Sequence, residues 1–178
     1  PRPKARQEEV GHVTTQTAGQ TAAKFQELER RMTTAFVQRE EVARSFVLAL
    51  LTGQHIVLVG PPGTGKSALA RYVCASIEGA TYFEWLLGRT TVPEEILGPY
   101  NLPALEAGRF ERITSGKLPE AHIAFLDEVF KASSALLNLL LSMMNERVFH
   151  NGTQPVPVPL RTLIGASNEY PDPEEDSH

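Results

Sequence analysis

A single cysteine, Cys74, occurs in 178 residues. That excludes an internal disulfide and a cysteine-rich zinc site. Within a predicted helix, Cys74 reads as a small packed apolar residue rather than a reactive thiol. Long apolar runs are also missing. No stretch approaches the roughly 20 residues of a membrane span, and the N-terminal residues carry no apolar signal core, so a cytoplasmic protein is the default expectation. Basic charge is not in excess either, since the formal net charge is −4. Composition therefore imposes no basic face, and nucleic acid is not indicated as a partner. There is no internal repeat. What is present is one domain's length of chain, 42% apolar and 21% charged, which is enough to build a core.

Residues 1–20 are rich in Thr, Gln and Gly and lack apolar periodicity, so they are expected to be flexible. Residues 21–178 are expected to hold the nucleotide-binding domain argued below. A helix is predicted from Thr21, with Phe25, Leu28, Met32 and Phe36 on one face. A second should cover 39–51, with Val42, Phe46, Ala49 and Leu50 inward and Gly53 just past its end. Strands are predicted over 55–59, 81–86, 122–126 and 162–166. The first, third and fourth are continuously apolar, the pattern of a parallel sheet covered on both faces. Between them fall a helix carrying Leu69, Val73 and Ile77, and one opened by Thr91 with Glu94 closing a capping box. A third, from Ser133 or Ser134 to Met144, is so apolar all round that it should be sandwiched. Two hairpins interrupt the alternation. One turns at Asn151-Gly152, and Pro155, Pro157 and Pro159 keep its returning strand out of a sheet centre. A weaker one turns at Ala107-Gly108, between Leu105 and 110–113. Strand–helix alternation of this kind means a layered α/β fold.

Three constellations carry chemistry. The first is Gly60-Pro61-Pro62-Gly63-Thr64-Gly65-Lys66-Ser67, a G-x-x-x-x-G-K-S string directly after the apolar run Ile56–Val59. Successive backbone amides in such a loop form an anion nest, and the following helix, through Ala68, adds the positive end of its dipole. Lys66 is placed to reach the outer phosphates of ATP and the Ser67 hydroxyl to hold Mg²⁺. The second is Ile123-Ala124-Phe125-Leu126-Asp127-Glu128, an apolar strand ending in two carboxylates. Asp127 is placed to hold Mg²⁺, which keeps several waters, and Glu128 to polarise an attacking water near the γ-phosphate. Taken alone this pair is weak, because acidic residues follow strands in many loops; the phosphate loop gives it meaning. The third is Leu163-Ile164-Gly165-Ala166-Ser167-Asn168, a strand ending in a residue that both donates and accepts. Asn168 could orient the lytic water or touch the γ-phosphate, although Asn also caps helices and forms turns. All three lie where open α/β sheets bind ligands, at the C-terminal ends of parallel strands.

Together these residues resemble the AAA+ ATPases, a P-loop NTPase fold with a three-layer parallel sheet between helices. Gly60–Ser67 is similar to Walker A, Ile123–Glu128 to Walker B and Asn168 to sensor 1. The hairpin near Leu105–Ile113 looks like the helix-2 insert. Thr-Ser-Gly-Lys-Leu-Pro-Glu-Ala at 114–121, Asn-Glu-Arg-Val-Phe-His-Asn-Gly at 145–152 and Ala166-Ser167-Asn168-Glu169 resemble the MoxR family, in particular its RavA (regulatory ATPase variant A) branch. The likeness covers about residues 30 to 173. It implies ATP and Mg²⁺ as cofactors, a homo-oligomeric, typically hexameric ring, and chaperone-like remodelling of a client protein complex. By the same likeness Phe36 and Val37 pack on adenine. Glu128, Lys66 and Asn168 would be catalytic.

The family continues past sensor 1 into an arginine finger, a fifth core strand and a helical lid. This sequence ends at Pro171–His178, with lid and fifth strand absent from this chain. Ile56–Val59 is therefore expected to be a sheet edge, and the chain alone to bind ATP·Mg²⁺ weakly and barely hydrolyse it. The rival to an enzyme is a nucleotide-gated scaffold in which ATP organises an interface. Remaining features have plainer readings. Arg147 is expected as a solvated helix end, less readily as a contact to a neighbouring subunit. Trp85 is expected in the core, His55 and His122 as satisfied polar positions, and Asp172–Asp176 as a solvated loop or frayed end.

Overall fold

The structure, a computed structural model, describes residues 15–170. Its elements follow the apolar patterning. In chain order they are α1 (Thr15–Ala35), α2 (Glu40–Thr52), β1 (Ile56–Val59), α3 (Lys66–Ala75), β2 (Tyr82–Leu86), α4 (Pro93–Leu97), α5 (Leu102–Glu106), β3 (Ile123–Asp127), α6 (Ser134–Glu146), β4 (Val148–Asn151), β5 (Gln154–Pro157) and β6 (Thr162–Ser167). Short 3-10 turns cover Leu118–Glu120 and Val129–Lys131. Helix α1 begins at Thr15 rather than Thr21. Residues 1–14 and the acidic run at 172–176 lie outside the described residues.

Four strands form one parallel sheet in the order β1-β6-β3-β2. Ile56 pairs with Ile164, Leu126 with Gly165 and Leu86 with Asp127. Side chains alternate across it. On one face Ile123, Phe125, Ile164 and Ala166 pack against Leu28, Met32, Phe46, Leu50, Leu69 and Val73 of α1, α2 and α3. On the other, Phe83, Ala124, Leu126 and Leu163 pack against Ile96, Leu136, Leu140, Met143 and Phe149. The result is three layers, and α2 closes at Gly53 in the left-handed conformation, as its sequence requires.

Several expectations are corrected. Among the described residues strand β1 lies at a sheet edge, as expected, but it is not covered on both faces: Val57 is 55% exposed. Helix α6 is not sandwiched. Leu136, Leu140 and Met143 form its buried stripe while Leu139 and Leu141 face outward, since only one side of a helix can reach the sheet. The cap of α4 is shifted by one residue. Val92 is the N-cap, its N–H donates to Glu95 Oε2 (3.1 Å), and Thr91 instead accepts from Gly88 N–H through Oγ1. Glu94 is drawn away by Arg112 (3.1 Å). The hairpin turn is Gly152-Thr153, because Asn151 pairs with Gln154. The Asn151 side chain is engaged elsewhere, accepting from Arg112 N–H (2.6 Å) and donating to Arg112 O (3.2 Å). The weaker hairpin expected at Ala107-Gly108 does not form, because Leu105 lies in helix α5. Asn101 caps α5, and the chain pairs Tyr100 with Arg112 on either side of that helix. Trp85 is partly buried beside Phe83 rather than fully enclosed.

Arg112 organises this insert. Its guanidinium donates to Gly98 O (2.9 Å) and lies 4.1 Å from the Tyr100 ring centroid. Gly98 has φ +98, and a Cβ there would sit 1.9 Å from Ile113 O. Gly98→Ala should therefore destabilise the domain by about 3 kcal/mol, measurable as a lowered urea midpoint.

Below the sheet, His55 is a satisfied polar position, as expected. Leu163 N–H donates to Nδ1 (2.9 Å), which leaves Nε2–H to donate to Met144 O (3.2 Å). Burial chiefly lowers its pKa; the Met144 bond opposes this and the Arg147 charge adds to it. The folded value thus lies below the unfolded one of about 6.5, and the unfolded chain binds more protons as pH falls. The contribution is fully present above about pH 6.5 and is lost as pH falls toward the folded pKa. Thermal melts between about pH 7.5 and 5 should show this decline, and His55→Gln should flatten it.

Candidate active site

The phosphate loop hangs between two strand tips. Gly60 N–H donates to Ser167 O (3.0 Å), extending the β1–β6 ladder past its last register pair. Gly63 (φ +76) and Gly65 (φ +78) are left-handed, and a Cβ on Gly60, Gly63 or Gly65 would meet no atom within 4 Å. These three glycines therefore face open space rather than packed neighbours. Helix α3 starts at Lys66, so the first amides of the helix, Lys66 to Ala68, point from its N-terminus without intrahelical partners. Pro61, Pro62, Gly63 and Ala68 are exposed, while Thr64, Gly65, Lys66 and Ser67 are half-buried. The Thr64 hydroxyl donates to Pro61 O (3.0 Å), and Arg39 Nε donates to Thr64 O (3.1 Å). Arg39 has no sequence signal for this role; the fold alone brings the start of α2 to the loop.

Lys66 turns inward. Its Nζ donates to Gly60 O (2.6 Å), Pro61 O (3.3 Å) and Asn168 Oδ1 (3.0 Å). The amide nitrogen of Asn168 donates to Glu128 Oε1. Glu128 Oε2 in turn meets Lys131 Nζ at 3.3 Å. Three residues predicted separately are thus joined in one row, with charges alternating from Lys66 to Lys131. Glu128 has φ +54, uncommon outside glycine, and its N–H donates to Asp127 Oδ1 (3.0 Å). Asp127 ends β3 and Ser67 lies in the first turn of α3. Ser67 Oγ has Arg71 Nη2 at 3.4 Å, and Arg71 is ion-paired to Glu84 (2.8 Å), which also accepts from Tyr82 OH (3.0 Å). Burial, followed by the Glu84 charge, pushes the Tyr82 phenol upward.

This donor set fits a magnesium triphosphate. The first-turn amides of α3 lack intrahelical partners, and Lys66 is held by three oxygens that a phosphate could replace. Among the described residues no group of three His, Cys, Asp or Glu is arranged to hold a metal. A cation here would take one hydroxyl and one carboxylate from protein and the rest of its shell from phosphate and water, as Mg²⁺ does.

Phe36 and Val37 separate in the structure. The Phe36 ring packs edge-on to Tyr72 (5.6 Å between centroids) beside the α1–α3 core, whereas Val37 is 80% exposed. Arg147 is no solvated helix end. It adopts φ +56 after α6, and its guanidinium donates to Leu160 O and Gly53 O (both 2.6 Å). Burial, then the charge of Arg161, lowers its pKa. His122 Nδ1 is satisfied by the Thr81 hydroxyl (2.8 Å).

A parallel β1-β6-β3-β2 sheet with a phosphate loop after β1 and acidic residues after β3 is the core of an AAA+ ATPase. Solved structures share it. A Cytophaga hutchinsonii protein provisionally described as an ATPase superposes with a TM-score of 0.65 at 20% identity, over 90% of this chain and 51% of that one. The ADP complex of Hsp104 from Saccharomyces cerevisiae does so with 0.60 at 13% identity, over 83% and 28%. The chain belongs to the MoxR family: residues 23–177 match the MoxR domain in the MoxR–vWA–beta-propeller ternary systems. An uncharacterised protein of Methanocaldococcus jannaschii is 44% identical over 153 residues. That match takes in 85% of this chain and 40% of the relative, so the chain spans about two-fifths of its length. Family membership implies nucleotide binding. Among the described residues no helix is long and apolar enough to cross a membrane.

The two adenine candidates can be told apart by stability. Phe36→Ala should lower nucleotide-free stability by about 2 kcal/mol, less than for a fully buried ring, while Val37→Ser should leave it unchanged in chemical denaturation.

Proposed function

We propose that this chain binds and hydrolyses ATP as the motor domain of a homo-oligomeric ring, and that the ring remodels a partner protein complex. The observation that carries the reading is the row Lys66–Asn168–Glu128. It supports an arrangement in which the phosphate-binding cation, a polar sensor and a carboxylate base face one cradle. Lys66 would leave its loop carbonyls to neutralise phosphate charge. Glu128 would accept the proton of the attacking water, and Asn168 would align that water between base and γ-phosphate. Ser67 and Asp127 would hold Mg²⁺, whose chemistry when bound is to neutralise charge on the phosphate oxygens. Loop amides from Gly60 to Ala68 would bind the phosphates, and the surface near Phe36 and Val37 the adenine.

The strings at 114–121 and 145–152 support a place near the RavA branch. The matched family works, by its description, in ternary systems with vWA and beta-propeller components, so proteins of those two kinds are the proposed partners and the route to a client. An arginine finger and lid would complete the site from chain outside the described residues or from a neighbouring subunit.

Glu128→Gln tests the reading. ATP binding should persist while turnover falls by at least about 10²-fold, and Lys66→Ala should weaken binding itself. If the partner-directed effect survives Glu128→Gln intact, ATP is a structural ligand and the chain is a nucleotide-gated scaffold.

A further inference from the structure

Glu128 is gripped on both carboxylate oxygens. Asn168 reaches Oε1 from inside the site, and Lys131 reaches Oε2 at 3.3 Å from outside. The exposures differ in the same sense. The Glu128 side chain is 12% exposed and that of Lys131 60%. Lys131 therefore holds an enclosed carboxylate while keeping its own ammonium hydrated, so the pair avoids desolvating both charges.

Backbone geometry sets this contact. Glu128 enters the Val129–Lys131 3-10 turn with φ +54, and Lys131 N–H donates back to Glu128 O at 2.8 Å. That bond closes one tight turn, and within it the Lys131 ammonium comes to 3.3 Å from Glu128 Oε2. The turn is seated on the sheet because Gly165 leaves room for Val129: a Cβ on Gly165 would lie 3.3 Å from Val129 Cγ1. A flexible acid after a strand would sample several rotamers; this one is fixed by a turn, an amide and an ammonium.

We infer that Lys131 is a positioning residue for the base Glu128. It acts through that carboxylate, holding it in line with Asn168 and touching neither nucleotide nor metal. The inference rests on the reading of Glu128 as base given above. A residue with this role should affect the chemical step and leave nucleotide affinity alone, because an oriented base contributes only once the nucleotide is bound.

The experiment is steady-state ATP turnover by the full-length protein in its assembled state, comparing Lys131→Met, Lys131→Gln, Lys131→Arg and Glu128→Gln with the parent. Lys131→Met should lower kcat by about three- to tenfold with KM for ATP unchanged. Lys131→Gln should behave alike and covers the case in which the methionine variant fails to assemble. Lys131→Arg, which keeps the charge and reach, should restore most of kcat. The inference is overturned if neutral variants keep full kcat, if KM changes in step with kcat, or if arginine is as impaired as methionine. Failure of the underlying reading looks different: Glu128→Gln itself would then retain turnover, whatever the Lys131 variants do.

Discussion

The insertion of β6 between β1 and β3 is the constraint on which the site depends. Parallel pairing of Ile56 with Ile164 and of Leu126 with Gly165 sets the three strand tips at one level. Gly60 N–H to Ser167 O then ties the phosphate loop to the tip of β6, and Asn168 follows directly. From there its amide spans the gap to Lys66 on one side and Glu128 on the other. A register slip of one residue would invert every side chain of β6. It would bring the wrong face against α2 and α3 and turn Asn168 away from both partners. Packing enforces the register, since Ile164 and Ala166 fill one core and Leu163 the other.

At the opposite end, a second set of polar ties holds the layers together. Arg161 donates to Leu50 O and Leu51 O, and Arg147 to Gly53 O and Leu160 O. These arginines satisfy carbonyls that the C-terminus of α2 would otherwise leave open. Close by, His55 links α6 to β6 as a neutral ring. The strand ends away from the phosphate loop thus carry these polar ties, while the proposed chemistry belongs to the loops at the other ends. That division suits parallel α/β sheets generally.

Much of the candidate site was legible because its signals are local. A buried strand, a Gly-rich loop and Lys-Ser at a helix start adjoin in the chain, and each part has one physical use. An apolar strand ending in Asp127-Glu128 is equally local. The insert was legible only as an interruption. Its pairing of Tyr100 with Arg112, across the intervening α5, depends on Arg112 meeting Gly98, Glu94 and Asn151, contacts between segments far apart in sequence. The shift of the 151–154 turn has the same origin: Asn151 suits a turn, but its amide is taken by Arg112. Exposure of Leu139 and Leu141 was unreadable because composition says that a helix is apolar, not which side a neighbour will cover.

By itself the sequence determined the class of fold, the phosphate loop and the identities of Lys66, Ser67, Asp127, Glu128 and Asn168, because strand periodicity and loop chemistry operate over a few adjacent residues. Tertiary structure alone decided that Arg39 braces the loop, that Lys131 closes on Glu128 from outside, that Arg147 is an internal tie and that Val57 lies bare at the sheet edge. Those outcomes depend on which distant segments meet, and such meetings are settled by how the layers share one core rather than by any local preference of the chain.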